Sequence, residues 1–264
     1  MTGPASGPPR PSVAGVYDYL LGGTDHSATD QAAGDQIIAA LPEAALGVRA
    51  QRDVLRRAVR YLATEAGVAQ FADLGSGLPT ADNVHQIAQR HRPGSRVVYI
   101  DHDPAVVAQA QTLLAPDEST LAVAGDLRDP TAVLADPAVA AHLDWNQPVA
   151  LLMCGILHYV PDDAHPADLA AAWYRSLAPG SYVFIHHLLA SEDPAAAGLQ
   201  AAMAQALGPV QFRTRSEVET LFDGLDLVDP GVVPVPQWHP DPDTPSERAH
   251  PALGLACAGL ATVR

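Results

Sequence analysis

The sequence predicts an α/β domain built on a doubly wound, mostly parallel sheet, and three observations carry that prediction. Short β-rich runs alternate with helical periodicity from residue 70 onward. The first run, Gln70 to Leu74, breaks into the glycine turn Gly75-Ser76-Gly77. The first three runs also close on acids, Asp73, Asp101 and Asp126. Open sheets of this kind bind ligands at the carboxyl ends of their strands, which is where these acids fall.

A chain of 264 residues suffices for one such domain with an N-terminal extension. Its 15 basic and 30 acidic residues give a formal charge of -15. Nucleic-acid binders usually carry a basic footprint, so DNA and RNA are disfavoured as partners. Cys154 and Cys257 lie in apolar runs and read as buried free thiols. With no leader-like start and no long apolar span, a soluble cytoplasmic protein without membrane contact is expected.

Residues 1–11, rich in Gly, Pro, Ser and Ala, are expected to form a disordered tail. Residues 12–66 read as a helical cap, and residues 67–264 as the core domain. After Ser12, the stripe Val13, Val16, Tyr17, Leu20 and Leu21 makes a helix that Gly22-Gly23 stops. A second helix covers about 30–41 and ends at Pro42. A third covers 49–66, with Leu55, Ala58, Val59 and Leu62 on its buried face. Arg49 and Arg52 share that face, whereas Arg56, Arg57 and Arg60 can point to solvent. An inward guanidinium needs a partner, either a protein acid or the carboxylate of a ligand.

In the core, strands are expected near 70–74, 96–101, 121–125, 148–154 and 181–187. Helices are expected near 81–91, 104–114, 131–142 (broken at Pro137) and 167–177. Asp103 caps the helix that Pro104 opens, and Asp162 with Asp163 are expected to cap the helix after them. Ser216-Glu217-Val218-Glu219 reads as a capping box. Leu225 to Val228 and Leu253 to Val263 read as a final antiparallel pair, and Trp238 as a packing residue.

Gly75 and Gly77 lack a Cβ, so a ligand can lie against their backbone, near helix-start N–H groups that suit a polar group. The bland alternative is a simple strand-to-helix turn. Thr80 stands where a dinucleotide fingerprint has its third small residue. Asp73 would repel a pyrophosphate but suits an ammonium or sulfonium. Asp101, ending the second run, is placed for ribose hydroxyls, and Asp126 for an adenine amine. His158, His165, His186 and His187 match no metal-ligand spacing, so no metal is expected.

The segments FADLGSGLPT, VVYIDHDP and VAGDLRDP resemble the first three motifs of class I S-adenosylmethionine (SAM) dependent methyltransferases. VYDYLLGG, GLPT, ILHYVPDD and the PGVV…W…PD segment are similar to a group of actinobacterial SAM-dependent methyltransferases, a likeness running from about residue 11 to the C-terminus. Gln51, where that group more often has Asn, and His186 to Leu189 depart from its pattern. The resemblance implies a Rossmann-like, seven-stranded class I methyltransferase fold, SAM as cofactor and a small-molecule O or N acceptor. It places Gly75, Ser76 and Gly77 against the methionine part, with Asp73 at its ammonium and Arg49 or Arg52 at its carboxylate. Asp101 and His102 fall at the ribose, Asp126 and the Leu127 N–H at adenine, and Cys154 and Gly155 beneath the methyl group. Tyr17, Tyr19 and Gly23 would close over the cofactor. His158 is either a general base, its pKa expected near neutrality, or a brace. A non-catalytic SAM-binding module and an NAD-linked oxidoreductase are the rival readings, and the protein is expected to be a monomer or homodimer.

Overall fold

The computed structural model describes residues 10–79, 82–241 and 250–264. Thr80 and residues 1–9 of the expected tail lie outside the described residues. Strands β1 (Gln70–Leu74), β2 (Arg96–Asp101), β3 (Thr120–Ala124), β4 (Ala150–Cys154) and β5 (Tyr182–Leu188) run parallel in the order β3-β2-β1-β4-β5. Their near-continuous apolar character fits a sheet covered on both faces. Strands β6 (Asp226–Leu227) and β7 (Val233–Pro234) pair antiparallel with β8 (Ala256–Thr262), itself antiparallel to β5. Seven strands therefore lie along the path β3-β2-β1-β4-β5-β8-β6, and the predicted closing pair forms with Asp226 opposite Thr262. Strand order reverses between β1 and β4, so a crevice opens at their carboxyl ends.

Helices α1 (Val13–Leu21), α2 (Ala28–Ala40) and α3 (Ala44–Thr64) precede the sheet. One face of the sheet is covered by α3, α4 (Val84–His91) and α5 (Pro104–Leu114), through Leu62, Ile87 and Leu114. The other carries α6 (Pro130–Leu134), α7 (Pro137–His142), α8 (Pro166–Tyr174) and α10 (Arg215–Thr220), centred on Trp173 and Phe222. A third apolar cluster joins α1 and α2 to α9 (Pro194–Leu207), with Leu20, Ile37 and Met203 among its buried members. The expected helix over 131–142 is indeed two, divided before Pro137. Helix α9 was absent from the expectations above.

Caps explain several boundaries. Asp103, Asp129, Asp136 and Asp193 each cap a helix whose first residue is proline. The box before α10 is set by Thr214 with Glu217, two residues earlier than expected, because the Thr214 hydroxyl accepts from the Glu217 N–H. Asp162 and Asp163 do not cap α8: His165 is its N-cap, and Asp162 pairs with Arg213. At the N-terminus, the buried Asp30 carboxylate accepts from Ser12 N and Ser27 N, tying the start of α1 to that of α2. Buried Asp18 accepts from Asp25 N and meets His26 Nδ1, so the acid within the VYDYLLGG segment anchors the turn after α1.

Arg57 corrects the expected faces of α3. It is only 2% exposed and donates to Val235 O and Trp238 O at 2.8 and 3.0 Å, besides pairing with Asp53. Trp238 packs in the core against Phe184 as expected. Among the described residues, no helix is long and apolar enough to cross a membrane.

Candidate active site

The crevice at the strand ends is a cleft of about 540 Å³, within the range of small-ligand sites. Asp73, Gly75, Ser76, Gly77, Asp101 and His102 form one side, and Cys154 and Gly155 another. Tyr17 reaches it from α1, Gln51 and Arg52 from α3. The structure thus gathers ten of the predicted site residues around one space: Asp73, Gly75, Ser76, Gly77, Asp101, His102, Cys154, Gly155, Tyr17 and Arg52.

The glycine loop is held from below. Gly75 N and Ser76 N donate to Ile100 O at 2.8 and 3.2 Å, and Gly77 N donates to Asp101 Oδ2 at 2.9 Å. These three loop N–H groups are thus engaged by β2 and are not what the loop offers a ligand. The loop instead meets the cleft with glycine surfaces, both at φ +66°. A Cβ on Gly75 would stand 2.5 Å from Ile156 Cγ1, whereas one on Gly77 would find nothing nearer than Ala14 at 3.9 Å. Left-handed backbone costs an ordinary residue about 1–2 kcal/mol. Gly75→Ala is thus expected to lose more stability than Gly77→Ala in chemical denaturation, and equal losses would contradict the packing described.

Asp101, 7% exposed, also accepts from Asp103 N at 3.0 Å through Oδ1. It therefore fixes the loop and borders the cleft at once. Asp73 is 6% exposed, and burial pushes its carboxyl up to about 7, against the pull of Arg52 and helped by Asp101. Such a group gains most from a cation placed beside it. The Cys154 thiol is pushed up to about 12 by burial, so it stays protonated.

Other predicted residues stand elsewhere. Arg49 faces a neighbouring cavity of about 630 Å³ with Asp18, Gly23 and Asp25, and among the described residues only Arg52 borders both spaces. The Tyr19 hydroxyl donates to Asp35 at 2.6 Å, away from the cleft lining. Asp126 and Leu127 are also outside that lining. The Asp126 carboxylate accepts a forked pair from Arg128 at 2.6–3.0 Å, and Leu127 O accepts from Trp173 Nε1.

His158 lies on a second, apolar cavity of about 110 Å³ that adjoins the cleft, with Tyr17, Gln51, Gly155 and Tyr159 bordering both. Its pKa is not near neutrality. Burial lowers it well below the usual histidine value, with His187, His186 and Arg213 acting in the same direction. Burial likewise takes His186 to about 3 and His187 to about 4. Among the described residues, no group of three or more His, Cys, Asp or Glu is arranged to hold a metal ion.

A parallel sheet closed by antiparallel β8, with a glycine loop and two strand-end acids on one cleft, is a SAM-dependent methyltransferase fold. The chain belongs to the S-adenosyl methyltransferase family, whose profile matches residues 7–264. That family uses SAM as methyl donor, which removes the nicotinamide reading. A candidate methyltransferase of Thermobifida fusca is 39% identical, with TM-score 0.92 over 97% of this chain and 96% of that one. A DUF574 family protein of Streptomyces avermitilis is 36% identical, with TM-score 0.90 over 97% and 98%. Human N-acetylserotonin methyltransferase, solved in complex with SAM, shares the fold at 18% identity and TM-score 0.51, over 96% of this chain and 63% of that one. No curated protein matches the chain.

Proposed function

We propose that the chain moves a methyl group from SAM to an O–H or N–H of a small molecule. One observation carries the reading: buried Asp73, Asp101 and the Cβ-free loop share a single cleft at the switch point of the sheet. That donor set fits SAM, since an acid whose ionisation is suppressed by burial welcomes the ammonium and sulfonium of a cationic ligand. Bound SAM would supply a methyl group already activated on sulfur.

Asp73 then carries the ammonium, Arg52 the carboxylate, and Gly75 to Gly77 the methionine chain. Asp101, with His102 beside it, accepts from the ribose diol using lone pairs that the loop leaves over. The Asp126–Arg128 pair is exposed, so little holds it, and Asp126 can turn with Leu127 toward adenine. Tyr17, Cys154 and Gly155 bound the reacting end. Their task is to hold donor and acceptor in line, for which effective molarities on the order of 10^5 M or more are known. His158, kept neutral by burial, orients the acceptor by a hydrogen bond, and the acceptor's proton leaves to solvent through the cleft as the methyl group arrives.

Asp101→Ala is expected to weaken SAM binding by at least about 1.5–3 kcal/mol, the worth of a hydrogen bond to a charged group. Unchanged affinity in a calorimetric titration refutes the ribose role. Tight SAM binding without turnover on any of a broad acceptor panel would mark a non-catalytic module instead.

A further inference from the structure

We infer that the apolar cavity beside the cleft seats the methyl acceptor, and that the acceptor is a neutral, ring-sized lipophilic group presenting one hydroxyl to His158 and His186. This rests on the methyltransferase reading above.

The cavity adjoins the cleft across side chains common to both, so its occupant lies next to whatever the cleft holds. At about 110 Å³ it is somewhat smaller than the ~150 Å³ apolar cavity known to take benzene, so it suits a single ring and little more. Its walls are aliphatic: Leu199, Met203 and Leu207 from α9 face Leu20, Ile37 and Leu41 from α1, α2 and the α2–α3 turn.

Besides Gln51 and the rings of Tyr17 and Tyr159, two imidazoles break that lining. His158 and His186 are 3% and 1% exposed, and the Nδ1 of each is buried with no hydrogen-bond partner among the described residues. Native interiors rarely leave such atoms unpaired. His187, next in sequence, shows the contrast: Nδ1 meets Leu188 O at 2.7 Å and Nε2 accepts from Arg213 at 3.0 Å, so its needs are met within the protein. A neutral imidazole offers one donor and one acceptor nitrogen. A pair of them suits a hydroxyl, which both gives and takes a hydrogen bond. An anion would face acceptor lone pairs and an apolar wall, and an ammonium would face the same wall with no acid lining it.

The test titrates the full chain with phenol, toluene and benzoate, read by calorimetry and by the ¹⁵N resonances of the histidines. Phenol is expected to bind at least about tenfold more tightly than toluene, as one hydrogen bond to a buried, otherwise unpaired partner requires. It should shift His158 and His186 and leave His187 in place, and benzoate should not bind. His186→Leu should erase the preference for phenol. Met203→Trp, which fills the cavity from α9 without touching a histidine, should abolish phenol binding and leave SAM titration unchanged. Phenol binding no tighter than toluene, binding of benzoate, or phenol binding that survives Met203→Trp overturns the inference. SAM titration of the same samples separates the two claims. Normal SAM binding with failed phenol selectivity sinks the acceptor assignment alone, whereas selective phenol binding without SAM binding sinks the methyltransferase reading.

Discussion

Asp73→Asn is expected to stabilise the unliganded protein while removing most of its affinity for SAM. The folded carboxyl titrates at about 7, against an ordinary value of 3.8. The folded state therefore holds this proton more tightly than the unfolded chain does. That contribution is whole below about pH 4 and is lost as pH rises toward 7. Each pH unit between the two values is worth about 1.4 kcal/mol, which caps the cost near 4 kcal/mol, and relaxation brings the expected gain for Asn to about 1–3 kcal/mol. A cationic ligand recovers this cost in the wild type but not in the variant, so SAM should bind the variant at least about 10–100-fold more weakly. Wild-type affinity should fall as pH drops below 7, while the variant's stays flat across that window. Denaturation midpoints at pH 5 and pH 8 check the first claim. A stability difference that does not grow with pH would refute it.

Arg57→Leu is expected to cost about 3–5 kcal/mol, the range for removing one member of a buried charged cluster. The substitution strands the carbonyls of Val235 and Trp238 and leaves the Asp53 carboxylate without its buried partner. Arg56, a half-exposed neighbour that pairs with Asp53 and Asp241, makes the control. Arg56→Ala should lose no more than about 1 kcal/mol, as surface pairs do. Urea denaturation of the two variants decides the matter, and similar losses would mean the buried guanidinium is not the clamp it resembles. Val235 also lines the apolar cavity, so a surviving Arg57→Leu protein should bind ring-sized probes less well.

Much of the sheet was legible because strand and boundary signals are local. Gln70–Leu74 is a short apolar run ended by glycines, and Pro104 after Asp103 marks a helix start within two residues. The same Asp-Pro signal stands at Asp193-Pro194, where it could have revealed α9. That helix escaped notice because its alanine-rich run shows little contrast between faces, so no periodicity stands out. Asp73 and Asp101 were readable as cleft acids, since a strand end in a doubly wound sheet fixes where its last residues emerge. Asp126 sits at an equivalent strand end, but Arg128 two residues later takes its carboxylate. Arg57 and His158 were misjudged for a common reason. What buries each comes from far along the chain, Val235 and Trp238 for the arginine and the β5 histidines for the other.

The contact between α2 and α9 has a temporal side. Helices α1 and α2 leave the ribosome well before α9, which begins only at Pro194, more than 150 residues after α2 ends at Ala40. At about 5–20 residues per second, the apolar stripes of the first two helices wait roughly 8–30 s for their counterpart. The wall of the apolar cavity is thus assembled from segments synthesised well apart, and α1 and α2 dock late, a sequence of events that makes Leu20 and Ile37 natural points of chaperone contact during synthesis.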